Sequence, residues 1–361
     1  MLLTLLPTLL LGCPKPPVET GPPAPPISPI LPAPYATVYT QAPGPARDPL
    51  VAYVAEGKLT DETLSGAAGS MSLLVNEAGA IDQASLHWAL ITSGWPYKVS
   101  QVLVERVDKD QIPASFESTV SDLDPTLPIG VARSRSPGLD TWVLLVGQVD
   151  SPIQPFAREA QVGQSLALQV SDGSWSRVEQ RMLPPQGPLR LGPGTYDAPG
   201  EWLVELYGLG ENDARTLLVQ LPVYVGEETP EDGPFVGVET EKPTGDAALR
   251  RAEAGLNELR SLMGAQPLQM DPVALALAGK HARALDSGES EALDVVSLAS
   301  NAGLQDPQVL VCEGEGVNGC LDAWFWSIDA RPALRNPNLS LMGLHVSWTA
   351  EGLRIVALVA R

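Results

Sequence analysis

Apolar residues follow two rhythms along the chain, and the change from one to the other divides it into segments. Leu64, Ala67, Ala68, Met71, Leu74, Val75 and Ala78 fall three and four apart, which puts one stripe on one side of a helix. Ahead of them, Asp48-Pro49 supplies a side-chain cap and a first-turn proline, so Leu50-Val51-Ala52-Tyr53-Val54 reads as a helix. A third helix is predicted over 82–93, stopping at Gly94. Alternation then takes over: 99–107 reads as a strand, and 129–133 with 141–149 as a hairpin around Pro137-Gly138. Residues 47–150 are expected to form an α+β domain.

The rhythm of two dominates the next stretch. Residues 165–170, 177–183, 202–207 and 215–225 are short β-type runs broken by Gly and Pro turns, so 151–226 is expected to be a small β-sandwich. Leu203, Glu205 and Tyr207 alternate with Trp202, Val204 and Leu206, as in a strand with two different environments. Residues 227–246 hold seven acidic side chains, one Lys and three prolines and read as an acidic linker. Their carboxylates lack the spacing of a cation-binding loop. Helical periodicity returns from 247. Leu249, Leu256, Leu259 and Leu262 form one stripe that ends at Gly264, and Asp271-Pro272 opens a second helix with Ala274, Leu277, Ala278, His281 and Leu285 on one side.

Composition narrows the possibilities. With 361 residues, two to three domains are expected, and 44% hydrophobic residues suffice for real cores. A net charge of −20, from 43 acidic and 23 basic side chains, argues against a nucleic-acid partner, because phosphate contacts need clustered Lys and Arg. No run of 18 apolar residues is present to span a bilayer. Residues 1–12 hold seven Leu and end in Leu10-Leu11-Gly12-Cys13, which resembles a bacterial lipobox, although no Lys or Arg precedes it. That resemblance implies cleavage before Cys13 and lipidation of its thiol, making the membrane a partner through the lipidated N-terminus. An ordinary secretory signal with an incidental Cys13 is the alternative. Residues 14–49 contain 13 prolines in 36 positions, so 13–46 is expected to be an extended tether.

The last third carries a second resemblance. Leu256-Asn257-Glu258-Leu259-Arg260, Gly264, Pro267-Leu268, Asp271-Pro272 and Ala278-Gly279-Lys280-His281-Ala282 are similar to the opening of a CAP (SCP-like) domain. Trp324-Phe325-Trp326-Ser327-Ile328-Asp329-Ala330-Arg331, with Leu334, Asn336-Pro337 and Met342-Gly343, resembles the W-x-x-S-P-G-H-R…N-P…I-G segment of that family's bacterial branch. The resemblance covers 247–361 and implies a three-layer α-β-α sandwich. It also implies a degenerate site. Family members with a metal-capable cleft use two His and acidic partners, but the second His position is Ala330, and the first, expected within 287–293, holds no His. The family's Glu corresponds to Glu313 or Glu315.

The fold class expected is thus multidomain α+β: an N-terminal α+β domain, a central β-sandwich and a C-terminal CAP-like α-β-α sandwich. Ile129-Gly130-Val131-Ala132, Leu139 and 142–146 parallel Met342-Gly343-Leu344, Leu353 and 355–359, so the first domain reads as a possible degenerate copy of the last. Cys312 and Cys320, with Cys13 lipidated in an oxidising compartment, are expected to form a disulfide; free thiols or a reactive pair are the alternatives, and C-x₇-C is not a redox spacing. Cleft candidates are His281, Glu313, Glu315 and Trp324, with His281 also readable as a buried, backbone-bonded core residue. Trp324, Phe325, Trp326 and Trp348 could line a groove or pack the core. No metal and no cofactor are expected. The function expected is a non-catalytic lipoprotein of the bacterial cell envelope, at the outer membrane or secreted, presenting its modules to a lipid, glycan or protein ligand. The alternative is an atypical hydrolase or metal-dependent enzyme using Glu313 or Glu315 with His281.

Overall fold

The computed structural model describes residues 38–39, 48–75, 81–149, 151–170, 175, 177–210, 215–228, 243–288, 294–350 and 352–361. The expected leader, Cys13, nearly all of the proline tract and most of the expected acidic linker lie outside the described residues, as does most of 287–293. No helix among the described residues is long and apolar enough to cross a membrane.

A short strand β1 (Val38–Tyr39) precedes the first segment. That segment contains α1 (Pro49–Val54), β2 (Leu59–Thr60), α2 (Glu62–Leu74), α3 (Gln83–Ser93), β3 (Lys98–Asp108), α4 (Ala114–Asp122), β4 (Pro128–Ser136) and β5 (Leu139–Gln148). The expected helix starts are explained by their caps. Asp48 accepts from the N–H groups of Leu50 and Val51, Asp61 from those of Thr63 and Leu64, and Asp82 from that of Ser85. Helix α3 stops where Gly94 takes a left-handed φ of 91°. The sheet order is β2-β4-β5-β3. Along β5, Trp142, Leu144 and Val146 face α1 and α4, while Val143 and Leu145 face α2 and α3, so the apolar run of this strand is buried on both sides. Helix α4 was missed by periodicity because only Phe116 and Val120 are buried on it.

The middle segment comprises β6 (Phe156–Ala157), β7 (Glu159–Ala160), β8 (Ser165–Leu166), β9 (Arg177–Leu183), β10 (Arg190–Leu191), β11 (Gly194–Thr195), β12 (Gly200–Leu209) and β13 (Arg215–Val225). One five-stranded sheet, β10-β9-β12-β13-β7, is its main layer; the opposing layer is only the β8–β11 ribbon, and β6 pairs with β1. Trp202, Val204 and Leu206 bury one face of β12, where Tyr196 stacks edge-on against Trp202 at 5.2 Å. The same apolar cluster runs without interruption into Leu64, Met71 and Trp95 of the first segment.

The last segment comprises α5 (Asp246–Leu262), β14 (Gln269–Met270), α6 (Pro272–Asp286), α7 (Val295–Asn301), β15 (Gln308–Gly314), α8 (Val317–Trp326), α9 (Arg331–Arg335), β16 (Leu341–Trp348) and β17 (Leu353–Ala360). Its sheet order is β14-β16-β17-β15. Leu353, Ile355, Ala357 and Val359 of β17 pack towards α5 and α8, and Val356, Leu358 and Ala360 towards α6 and α7, giving three layers. Two positions depart from the helical stripe: Leu262 is 59% exposed at the end of α5, whereas Arg260 is fully buried. Arg260 donates to five carbonyls, those of Gln266, Ala333, Leu334, Asn336 and Leu339, and so closes the turn around α9. Burial without a carboxylate pushes its pKa down.

The first and last segments share one plan. In each, a two-residue strand pairs in parallel with the strand that opens the final hairpin, Thr60 opposite Ile129 and Met270 opposite Met342. The next residue, Asp61 or Asp271, donates its N–H to the carbonyl of Ile129 or Met342 and caps the following helix. One residue further along the paired strand sits the glycine of each parallel motif. A Cβ on Gly130 would stand 2.2 Å from the Leu64 carbonyl carbon, and one on Gly343 would stand 2.0 Å from that of Ala274. Helix backbone meets strand backbone there, so no side-chain adjustment can make room. Gly130→Ala and Gly343→Ala are each expected to lower stability by at least about 2 kcal/mol in urea unfolding. Gly69→Ala is expected to be neutral or stabilising, because its Cβ would only reach Ala132 at 4.0 Å.

Candidate functional site

The residues singled out in the C-terminal segment are dispersed. His281 is half-buried on α6, its Nδ1 without a hydrogen-bond partner among the described residues, and burial lowers its pKa. His345 on β16 abuts Gly279; burial and the nearby Arg283 lower its pKa, against Asp286. Gly279 and His281 are two residues apart on α6, about 200° around the helix, so the two imidazoles lie on different flanks. Glu313 on β15 is opposite Arg354 on β17, and that guanidinium also holds Asp286 at the end of α6. Glu315 is exposed in the turn after β15. Trp324 is buried with its Nε1 3.4 Å from the Val311 carbonyl, Ala330 is buried in the same core, and Trp348 is exposed. A disulfide joins Cys312 to Cys320, with Cα atoms 5.4 Å apart, fastening the end of β15 to α8. Among the described residues, no group of three or more His, Cys, Asp and Glu is placed to hold a metal ion.

The chemistry instead converges where the three segments meet. The second face of β12, bearing Leu203, Glu205 and Tyr207, turns away from its own core and towards α3 and α8. Ile91 of α3, Leu183 and Leu203 of the sheet, and Trp326 and Ile328 form a shared apolar cluster. Beside it opens a cleft of about 420 Å³, lined by α3, the 95–98 turn, β12, β13 and the end of α8. Ala84 of α3 is also buried in the C-terminal core, and Gly319 lets α8 cross close to Gln83, whose Oε1 would lie 3.0 Å from an added Cβ.

Two carboxyls are buried in the cleft wall. Asp322 is 4% exposed and Glu205 2%. Asp322 Oδ2 lies 2.9 Å from His87 Nδ1, and its Oδ1 accepts from Trp326 Nε1 at 3.0 Å. The His87 ring meets Trp326 edge-on at 5.3 Å. Glu205 accepts from Gln220 Nε2 at 2.8 Å and from the Tyr207 hydroxyl at 3.0 Å, with Arg181 3.5 Å away. Gln220 Nε2 also donates to the Trp326 carbonyl at 2.8 Å, and Arg181 pairs with Asp329. Arg331 pairs with Glu201, and Arg335 donates to the carbonyls of Pro184 and Pro185. These polar contacts link the middle segment to the last. Desolvation raises the pKa of Asp322 and of Glu205, outweighing the charge and hydrogen bonds that favour their anions.

Spacing could not assemble this set, since His87 and Asp322 are 235 residues apart. The signals were single charged residues inside apolar runs: Glu205 within 202–209 and Asp322 within 317–326. Buried titratable groups in a cleft mark candidate sites.

Comparison with known proteins gives only distant likenesses. No family model matches the chain, and no curated protein does. An outer surface protein from Borrelia burgdorferi is 16% identical over 34% of this chain and 97% of its own, at a TM-score of 0.27. A cysteine-rich secretory protein from Staphylococcus aureus is 13% identical, covering 44% of this chain and 56% of its own, at 0.28. An extracellular protein containing an SCP domain from Bacillus anthracis is 15% identical, covering 45% and 60%, at 0.27. The chain thus spans just over half the length of the latter two, and likenesses this remote transfer no activity.

The raised carboxyl of Glu205 sets a pH dependence. A carboxyl that binds its proton more tightly in the fold loses stability as pH rises from its unfolded value, 4.5, through its folded one. Gln mimics the protonated form at all pH values. The stability of the natural protein minus that of Glu205→Gln is therefore expected to fall as pH rises across this window, measured by urea unfolding at several pH values. A constant difference would show that Glu205 carries no burial penalty.

Proposed function

We propose that this chain is a binding protein of the bacterial cell envelope, held at a membrane by a lipidated Cys13 on the proline-rich tether, with its ligand in the cleft between the three segments. The C-terminal CAP-like segment serves as a wall of that site, and no reaction is assigned to Glu313, Glu315 or His281. The observation carrying this reading is the cleft itself. Its volume falls in the range of small-molecule sites, its walls are mostly apolar and aromatic, and a few buried polar groups converge on it. Those polar groups are already paired with protein partners, which suits a rigid, pre-formed binding surface better than proton-transfer chemistry. The anchor rests on Leu10-Leu11-Gly12-Cys13.

A neutral apolar dye tests the site without charge effects. Nile red is expected to bind the full chain at one molecule per protein with a blue shift. Ala323→Trp is expected to weaken that binding at least tenfold, because Ala323 is an exposed lining residue that can grow into the cleft. Absence of binding, or binding indifferent to Ala323→Trp, would overturn the reading.

A further inference from the structure

The charged groups lining the cleft are unequal in one respect. Asp322 is engaged at both oxygens by His87 and Trp326, Glu205 at both by Gln220 and Tyr207, and Asp329 by Arg181. Both oxygens of each have a protein donor, so these acids are poorly placed to recognise a cationic ligand. Lys98, at the start of β3, also lines the cleft and is exposed. Among the described residues its ammonium makes no ion pair or hydrogen bond. The remaining lining is dominated by Leu86, Leu90, Ile91, Trp95, Leu218 and Trp326.

An apolar chamber with one uncommitted cation at its edge selects an amphiphile of matching shape. The chain or ring system gains by leaving water for the apolar walls, and an anionic head gains an ion pair with Lys98 at the rim. A cationic head would meet Lys98 unfavourably, and a neutral hydroxyl head would gain only a weaker hydrogen bond from it. We propose that the cleft binds a small amphiphile with a single anionic head, a carboxylate or a phosphate, its apolar body within the chamber and its head on Lys98. This rests on the assignment of the cleft as the binding site and names the chemistry of its occupant.

Displacement of Nile red from the full chain tests it, with each amphiphile below its micelle concentration. Laurate, dodecyl phosphate, 1-dodecanol and dodecyltrimethylammonium share one apolar chain and differ in the head. Laurate or dodecyl phosphate is expected to bind at least tenfold more tightly than the alcohol, and the cation more weakly still. The tighter of the two anions identifies the head. Lys98→Gln is expected to remove the advantage of the anions over dodecanol, and Lys98→Arg to retain it. Equal affinity for all four heads, or anion affinity unaltered in Lys98→Gln, would overturn the amphiphile assignment while leaving the cleft as a binding site. Failure of Nile red itself to bind would instead remove the cleft reading and this inference together.

Discussion

The architecture depends on burying α3 against three cores at once. Ala89 and Leu90 pack into the cluster shared by the first and middle segments, Ile91 packs against Leu203 and Trp326 at the junction, and Ala84 lies in the C-terminal core. The helix is short, and Ala84, Ser85, Ala89, Leu90, Ile91 and Thr92 are buried around it, with Gln83, Leu86 and His87 left to line the cleft. Because each large side chain it buries is worth about 1.5–3 kcal/mol, no segment can release α3 without exposing apolar surface of another. The cleft exists because this helix holds α8 and β12 at fixed positions on either side of it.

The same junction brings carboxyls out of water, and the fold answers that cost with specific donors. Asp322 has His87 and Trp326; Glu205 has Gln220 and Tyr207; Arg181 lies between Glu205 and Asp329. Desolvation still prevails at Asp322 and Glu205, whose pKa values remain raised. Buried polar pairs of this kind contribute little net stability, but removing one partner is expensive, so they fix which surfaces meet. In the last segment Arg260 does comparable work with carbonyls alone, tying α5 to the turn around α9.

Much of this was legible in the sequence, for reasons that vary by element. Strands β5 and β17 were readable because both faces are buried, α1, α3 and α6 because Asp48, Asp82 and Asp271 open them, and α2 because its buried residues fall in one stripe. The parallel between Gly130 and Gly343 was visible as two short motifs and has a physical cause in the close helix–strand crossing. Helices α4 and α7 were not seen, the first having two buried apolar residues and the second only seven residues in all. Burial of Arg260 contradicts every composition rule and follows from five carbonyls that no spacing predicts. The cleft was only half legible. Alternation along β12 announced a second environment, but not that α3 and α8, from opposite ends of the chain, would supply it.

The central claim is that α3 makes the three segments one cooperative body around the cleft. Native-state hydrogen exchange of the full chain in rising denaturant tests this directly. The amides of α3, β12 and α8 are predicted to exchange through a single global opening, with one free energy and one denaturant dependence. Exchange of α3 or α8 through a separate opening of clearly lower free energy, with β12 still protected, would contradict the account.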